Sequence, residues 1–148
     1  MTDLAAPRTD AERAVAETLA AGGVHVVVFW AAWCGNSTSQ LDRGLAGAVE
    51  AWPDVSFTFV SLWDEGRTGE ATLRDHGLPA RARALGQPGV GQDAPASDRD
   101  TTFLGLPVTW IPTTWVFNRS GRLATAFNYG EVTRAQLDAA LEGAASSW

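Results

Sequence analysis

Apolar residues near the start of the chain recur at helical spacing. Ala11, Val15 and Leu19 are each separated by one helical turn and would share one face of a helix. The stretch TDAE that begins at Thr9 is a capping-box pattern, in which the glutamate follows the threonine by three residues. Two consecutive glycines then end the apolar spacing. The pattern predicts an N-terminal helix over residues 9–22.

A β-α-β pattern follows this helix. Residues 24–30 form a nearly continuous apolar run with several β-branched residues, which is typical of a strand buried on both faces. The next apolar positions have helical spacing and are Leu41, Leu45, Ala48, Val49 and Trp52. This helix is expected to begin just after Cys34 and to end at Pro53. Residues 55–62 predict a second strand, parallel to the first and joined to it by a right-handed crossover.

Residues 64–110 have a different composition and predict an insert. Within it, residues 68–76 are expected to form a short helix closed by Gly77. Residues 79–85 predict another helix with proline at its first position. The stretch GQPGVGQDAPASDRD, residues 86–100, predicts a loop.

The C-terminal part predicts two strands and a helix. Residues 113–118 are expected to form a strand, and the turn NRSG leads into an antiparallel neighbour at 122–127. A second capping-box pattern begins at Thr133 and opens a helix with Leu137 and Leu141 on its core face.

The order of elements is therefore α-β-α-β, an insert, and β-β-α. This order predicts the α/β fold class, with a central mixed β-sheet flanked by helices. The chain has 148 residues, so a single domain over residues 1–148 is expected.

Composition and charge narrow the classes of function. The net charge is −6, and the eleven basic residues, all arginines, are scattered along the chain, so no nucleic-acid partner is expected. The longest apolar run, residues 24–34, is far too short to cross a bilayer, so no membrane partner is expected either. Two widely spaced histidines and one cysteine do not form a metal-site motif. The first twenty residues lack the apolar core of a signal peptide, which favours a cytoplasmic location.

The stretch VVVFWAAWCGNSTSQL places Cys34 where a buried strand turns into a helix. Unpaired backbone N–H groups and the positive end of the helix dipole stabilise a thiolate at such a position. A thiolate is the nucleophile of disulfide exchange, so Cys34 is a candidate active-site thiol. Ser37, one turn on, would donate a hydrogen bond to the sulfur, and Trp33 would offer an apolar platform to a substrate. The competing interpretation is that Cys34 is a small buried hydrophobic residue.

Two segments resemble thioredoxin signatures. FWAAWCGNS resembles the active-site segment of thioredoxins, in which a strand runs through Trp-Cys-Gly into a helix. WIPTTWVFNRSGRL, which begins at Trp110, resembles the second signature, in which a cis-proline precedes a strand. The long insert is similar to that of the TlpA/ResA-type branch. The resemblance covers residues 9–143 and implies a thioredoxin fold with an insert before the cis-proline strand.

The resemblance also implies a site. Cys34 would be the nucleophile, with Ser37 at the position of the resolving cysteine. The residues expected to bind substrate are Trp33, Gly35, Asn36, Trp110, Ile111 and Pro112. A cis bond before Pro112 would turn the backbone of Ile111 outward, where it would pair with a substrate chain as a short strand addition. No cofactor and no metal are expected.

Three residues depart from the thioredoxin pattern. Ser37 replaces the resolving cysteine, Asn36 stands where proline is common, and Val28 occupies the position of a buried acid. Asp64 and Glu65, at the end of the second strand, are candidates for an acid that serves the site instead.

A single cysteine predicts monothiol chemistry. Cys34 can form a mixed disulfide with a protein thiol or with glutathione, but Ser37 cannot release the partner because a hydroxyl forms no disulfide. The sequence thus predicts a thiol-disulfide oxidoreductase of monothiol type. Two alternatives stay open: a redox-inactive binding module of the same fold, and an engineered cysteine-to-serine variant of a dithiol enzyme that traps its partners.

Overall fold

The structure is a computed structural model that describes residues 4–128 and 130–146. Its α-helices are α1 (Asp10–Ala20), α2 (Gly35–Gln40), α3 (Ala46–Ala51), α4 (Glu70–Asp75) and α5 (Arg134–Ser146). Its strands are β1 (His25–Trp30), β2 (Ser56–Ser61), β3 (Arg83–Gly86), β4 (Thr102–Phe103), β5 (Leu106–Pro107), β6 (Thr113–Phe117) and β7 (Leu123–Phe127).

A five-stranded mixed sheet with the order β3-β2-β1-β6-β7 forms the centre of the fold. Strands β1, β2 and β3 are parallel, whereas β6 and β7 are antiparallel to their neighbours. The parallel pairing of β1 and β2 follows from the crossover that α2 and α3 provide. The mixed sheet and flanking helices predicted from the element order are confirmed.

The two faces of β1 contribute to two hydrophobic cores. Val26, Val28 and Trp30 point into the core that contains Leu41, Leu45, α3 and α5, while Val27 and Phe29 point into the core beneath α1. All six residues of β1 are buried, as expected of a central strand covered on both faces.

The helix predicted after Cys34 is present but interrupted. Between α2 and α3 lies one π-helical turn, Leu41–Leu45, within which Gly44 has φ 156° and ψ −21°. A Cβ on Gly44 would lie 3.0 Å from the Cβ of Arg134 at the start of α5. The absence of a side chain at this position therefore allows both the break in the helix and the close approach of α5.

The helix predicted over residues 79–85 is wrong. Arg83–Gly86 is strand β3, which pairs in parallel with β2 and extends the main sheet. Two arginines hold the segment between α4 and β3 by donating hydrogen bonds to backbone carbonyls. Arg74 donates to the carbonyls of Leu78, Pro79 and Ala82. Arg81 donates to the carbonyls of Val49, Trp52 and Val55. The bonds of Arg81 to these distant carbonyls, together with pairing to β2, outweigh the local helix propensity.

The capping box predicted at Thr133 is complete, since the N–H of Thr133 also donates to the side chain of Gln136 at 3.0 Å, whereas the one predicted at Thr9 is half formed. The N–H of Glu12 donates to the hydroxyl of Thr9 at 3.1 Å, and the N–H of Gln136 donates to that of Thr133 at the same distance. In α1 the Glu12 carboxylate accepts from the N–H of Arg8 rather than from that of Thr9. Helix α1 is therefore anchored to the residue just before its cap.

Besides β3, the insert contains a small hairpin that the sequence pattern did not indicate. Strands β4 and β5 form a small antiparallel hairpin, turned by Leu104 and Gly105 with φ of 50° and 80°. The 86–100 segment lacks strands beyond Gly86, as expected of a loop, with one 3-10 turn at Ala96–Asp98. In the described part of the chain, no helix is long and apolar enough to cross a membrane.

Candidate active site

Cys34 lies where β1 ends and α2 begins. It is the N-cap residue of α2, with extended backbone angles, and its carbonyl accepts the first helical hydrogen bond from the N–H of Thr38 at 3.1 Å. Its own N–H donates to the carbonyl of Ala31 at 3.1 Å. Cys34 is half-buried and packs against the core beneath α1, so the thiol is neither fully enclosed nor free of packing. The predicted position at a strand-to-helix junction is confirmed.

Ser37 occupies the buried side of the same helical turn. It is fully buried, and its hydroxyl oxygen accepts a hydrogen bond from the N–H of Ala31 at 3.3 Å. The predicted donation from Ser37 to the sulfur is not among the hydrogen bonds of the described residues. The hydroxyl instead bonds the backbone that leads into Cys34, because its side chain points back toward the end of β1. Gly35 and Asn36 lie on the exposed side of this turn.

The segment before β6 runs beside the approach to Cys34. Thr113 is paired with Phe29 in antiparallel register, so the residues that precede Thr113 lie alongside those that follow Phe29. The Ile111–Pro112 peptide bond is cis, and both residues are buried. The Thr113 hydroxyl bonds the carbonyls of Trp110 and Asn128 at 2.7 and 2.9 Å, which fixes the segment to the end of β7.

Trp110 forms an exposed apolar surface on this segment. It is 51% exposed, and among the described residues it is the one large hydrophobic side chain that is mainly open to solvent. An exposed indole is a common anchor in protein interfaces, since it supplies apolar area at small entropic cost.

The indole of Trp33 is fixed to the insert. Its Nε1–H donates to the carbonyl of Trp63 at 3.0 Å, and the Trp63 indole in turn donates to the carbonyl of Asp100 at 3.0 Å. Trp63 has φ 57°, which is uncommon for a bulky residue and costs about 1–3 kcal/mol when the surroundings impose it. This backbone conformation directs the Trp63 carbonyl to the residue next to Cys34.

Several solved structures are similar to this chain in fold. A DsbF homologue from Corynebacterium diphtheriae superposes with a TM-score of 0.61 at 20% identity, over 82% of this chain and 71% of that one. A secreted thiol-disulfide isomerase from Corynebacterium glutamicum superposes with a TM-score of 0.56 at 25% identity, over 80% of this chain and 69% of that one. StoA from Bacillus subtilis superposes with a TM-score of 0.52 at 18% identity, over 80% of this chain and 82% of that one. The chain has a thioredoxin fold. No family profile matches the sequence, and no curated protein sequence is significantly similar to it.

Within this thioredoxin fold, the candidate acids at the end of β2 are engaged elsewhere. Asp64 and Glu65 both lie near Arg67, with N–O distances of 3.2 and 3.6 Å. Val28 is fully buried in the apolar core on the opposite face from Trp33. In the described part of the chain, no group of three or more histidine, cysteine or acidic residues is placed to hold a metal ion.

Sequence reasoning missed one charged residue that contacts Trp33. The guanidinium carbon of Arg99 lies 4.8 Å from the ring centroid of Trp63 and 5.6 Å from that of Trp33. These distances are typical of cation–π contacts. Arg99 lies in a segment whose composition predicts a loop, and no local pattern connects it to Trp33, which is distant in the chain.

Proposed function

We propose that this protein is a thiol-disulfide oxidoreductase of monothiol type that forms mixed disulfides through Cys34. The observation that carries the proposal is the placement of the single cysteine. It lies at a helix N-terminus, half-buried, beside the cis-proline segment, in a fold shared with thiol-disulfide oxidoreductases. Its exchange partners are protein thiols or disulfides, or glutathione.

The proposed reaction has two steps. The Cys34 thiolate attacks one sulfur of a disulfide, so that a new S–S bond forms and the other half leaves as a thiolate that takes up a proton. A second thiolate from solution then attacks the partner's sulfur in the mixed disulfide, which restores the Cys34 thiolate and gives a new disulfide. Ser37 cannot take the role of that second thiolate, because its hydroxyl forms no disulfide and is buried against the Ala31 backbone.

This proposal is tested by incubating the reduced protein with oxidised glutathione and weighing the product by mass spectrometry. We expect one glutathionyl group on wild type, removal of that group by excess reduced glutathione, and no adduct on Cys34→Ser. An unreactive thiol in the folded protein, with a normal reaction after denaturation, would contradict the proposal.

A binding module is the second candidate function, and the exposed Trp110 favours it. In that case partners would bind the groove around Trp33, Trp110 and Pro112 without exchange of sulfur. Binding of a partner by Cys34→Ser with unchanged affinity, combined with an unreactive thiol in wild type, would support this second function.

The cellular compartment stays a prediction. We expect the protein in the cytoplasm, although the similar isomerase from Corynebacterium glutamicum is secreted. Fractionation of the native host, followed by detection of the protein in each fraction, tests this expectation.

A further inference from the structure

We propose that Arg99 makes this site selective for anionic substrates, namely disulfides that carry a carboxylate close to the reacting sulfur. The inference rests on the proposed exchange reaction of Cys34 and adds a substrate class to it. It is drawn from the position of Arg99 against the rings of Trp33 and Trp63 and from the absence of a carboxylate partner for it among the described residues.

Arg99 is held in place by the two tryptophans. Its guanidinium contacts the rings of Trp33 and Trp63, and both rings are themselves fixed by indole hydrogen bonds. Its Nε atom is buried without a hydrogen-bond partner, whereas the residue as a whole is half-buried. The charge is therefore positioned beside Trp33, the residue that precedes Cys34, rather than free to move over the surface.

Among the described residues, no nearby carboxylate forms an ion pair with Arg99. Asp100 accepts hydrogen bonds from Arg8 and Thr102, and Asp64 pairs with Arg67. Asp98, in the turn just before Arg99, is exposed, and no ion pair joins it to Arg99. An anion from solution can therefore interact with Arg99 without displacing a partner among the described residues.

The net charge of the whole protein does not attract anions to the site. A net charge of −6 repels anions at long range, so attraction of an anionic substrate must come from charges at the site. Interactions between charges remain effective within a Debye length of about 8–10 Å at physiological salt. A substrate carboxylate within that distance of Arg99 is expected to raise the rate of exchange about three- to tenfold.

The experiment measures second-order rate constants for the reaction of Cys34 with three symmetric disulfides. Dithiodipropionate is anionic, bis(2-hydroxyethyl) disulfide is neutral and cystamine is cationic. The rates are measured for wild type, Arg99→Gln and Arg99→Lys. Arg122→Gln is the matched control, because it removes the same charge at the opposite end of the sheet. Arg122 precedes Leu123, and Leu123 pairs with Phe117 of β6. Phe117 in turn pairs with His25 at the start of β1, whereas Cys34 follows the end of that strand.

We expect the anionic-to-cationic rate ratio to fall about three- to tenfold in Arg99→Gln, to stay near the wild-type value in Arg122→Gln, and to be largely retained in Arg99→Lys. The advantage of the anionic disulfide over the neutral one should decline as salt is added. The rate with the neutral disulfide reports whether each variant keeps an intact site, since that rate does not depend on substrate charge.

Two results would overturn the inference about Arg99. One is an unchanged ratio in Arg99→Gln, and the other is an equal fall in Arg122→Gln, which would assign the effect to net charge. Failure of the proposed function gives a different result, because wild type would then react with none of the three disulfides.

Discussion

In the proposed exchange reaction, Ser37 is the residue that prevents Cys34 from releasing its partner unaided. It lies one helical turn from Cys34, is fully buried, and accepts a hydrogen bond from the N–H of Ala31. A thiol at this position would be tethered close to the sulfur of Cys34 and would act at an effective concentration in the millimolar range or higher. Whether the protein can release a captured partner unaided is thus expected to depend on one atom, the oxygen that Ser37 carries where a cysteine would carry sulfur.

We predict that Ser37→Cys converts the protein from a monothiol to a dithiol reagent. Its glutathione adduct should discharge without added thiol and leave an internal disulfide, whereas the wild-type adduct should persist. Mass spectrometry over time, after removal of free glutathione, measures the two half-lives. Ser37→Ala is the control, since it also loses the hydroxyl but supplies no sulfur. An adduct as long-lived in Ser37→Cys as in wild type would show that the two side chains cannot meet.

Individual site residues were predictable from the sequence to different degrees. Cys34 could be predicted because it lies where an apolar strand pattern changes to a helical pattern. Pro112 could be predicted because it lies directly before a strand pattern. The hydrogen bond that Ser37 accepts from the N–H of Ala31 was not predicted, because the position of that N–H depends on how β1 ends. Arg99 was missed, because its contacts with Trp33 and Trp63 join three segments that are distant in sequence.

At the scale of elements, the break between α2 and α3 depends on Gly44. Its φ of 156° is accessible to glycine and strained for other residues, and a Cβ there would meet the Cβ of Arg134 at 3.0 Å. The break thus depends on the packing of α5 as well as on the helix itself.

We predict that Gly44→Ala lowers the free energy of unfolding by about 1–3 kcal/mol, because it adds backbone strain and a steric contact. Gly143→Ala is the matched control, since Gly143 lies within α5 and a methyl group added there would have no neighbouring atom within 4 Å. This control substitution should raise stability by about 0.4–1 kcal/mol. Urea unfolding followed by tryptophan fluorescence measures both values. Equal effects of the two substitutions would contradict the role assigned to Gly44.

For the whole molecule, the insert and the N-terminal residues are joined by a charged cluster. Arg8 pairs with Glu12 and Asp100 at 2.9 Å each, and the side chain of Gln87 donates to Glu12 at 3.2 Å. Partial burial acts to raise the pKa of Asp100, but hydrogen bonds from Thr102 and Arg8 outweigh it, so the pKa lies below its usual range. The cluster therefore holds the loop that carries Arg99 against the start of α1.

This lowered pKa makes a prediction for the effect of acid. A carboxyl group whose pKa is lower in the folded state stabilises the fold above its unfolded pKa of about 3.9 and loses that contribution as pH falls through the folded pKa. We therefore expect Asp100→Asn to be less stable than wild type by about 1 kcal/mol at neutral pH, with the difference shrinking below about pH 4.

Urea unfolding of both proteins across this pH range measures the difference. Asp93→Asn, which removes an exposed charge in the same insert, corrects for the change in net charge. A stability difference that stays constant down to the lowest pH would show that the Asp100 carboxylate contributes no charge-dependent stability.

The order of elements outside the insert, the N-cap hydrogen bonds of Thr9 and Thr133 and the placement of Cys34 at a helix N-terminus could be predicted from the sequence alone. Each depends on residues close together in the chain: apolar spacing, a cap three residues from its partner, a glycine or proline that ends an element. The β3 strand, the break at Gly44, the hydrogen bond of Ser37 and the position of Arg99 were decided by the tertiary structure. Each of these depends on a partner brought close by the fold, and local propensity is too weak to compete with such contacts.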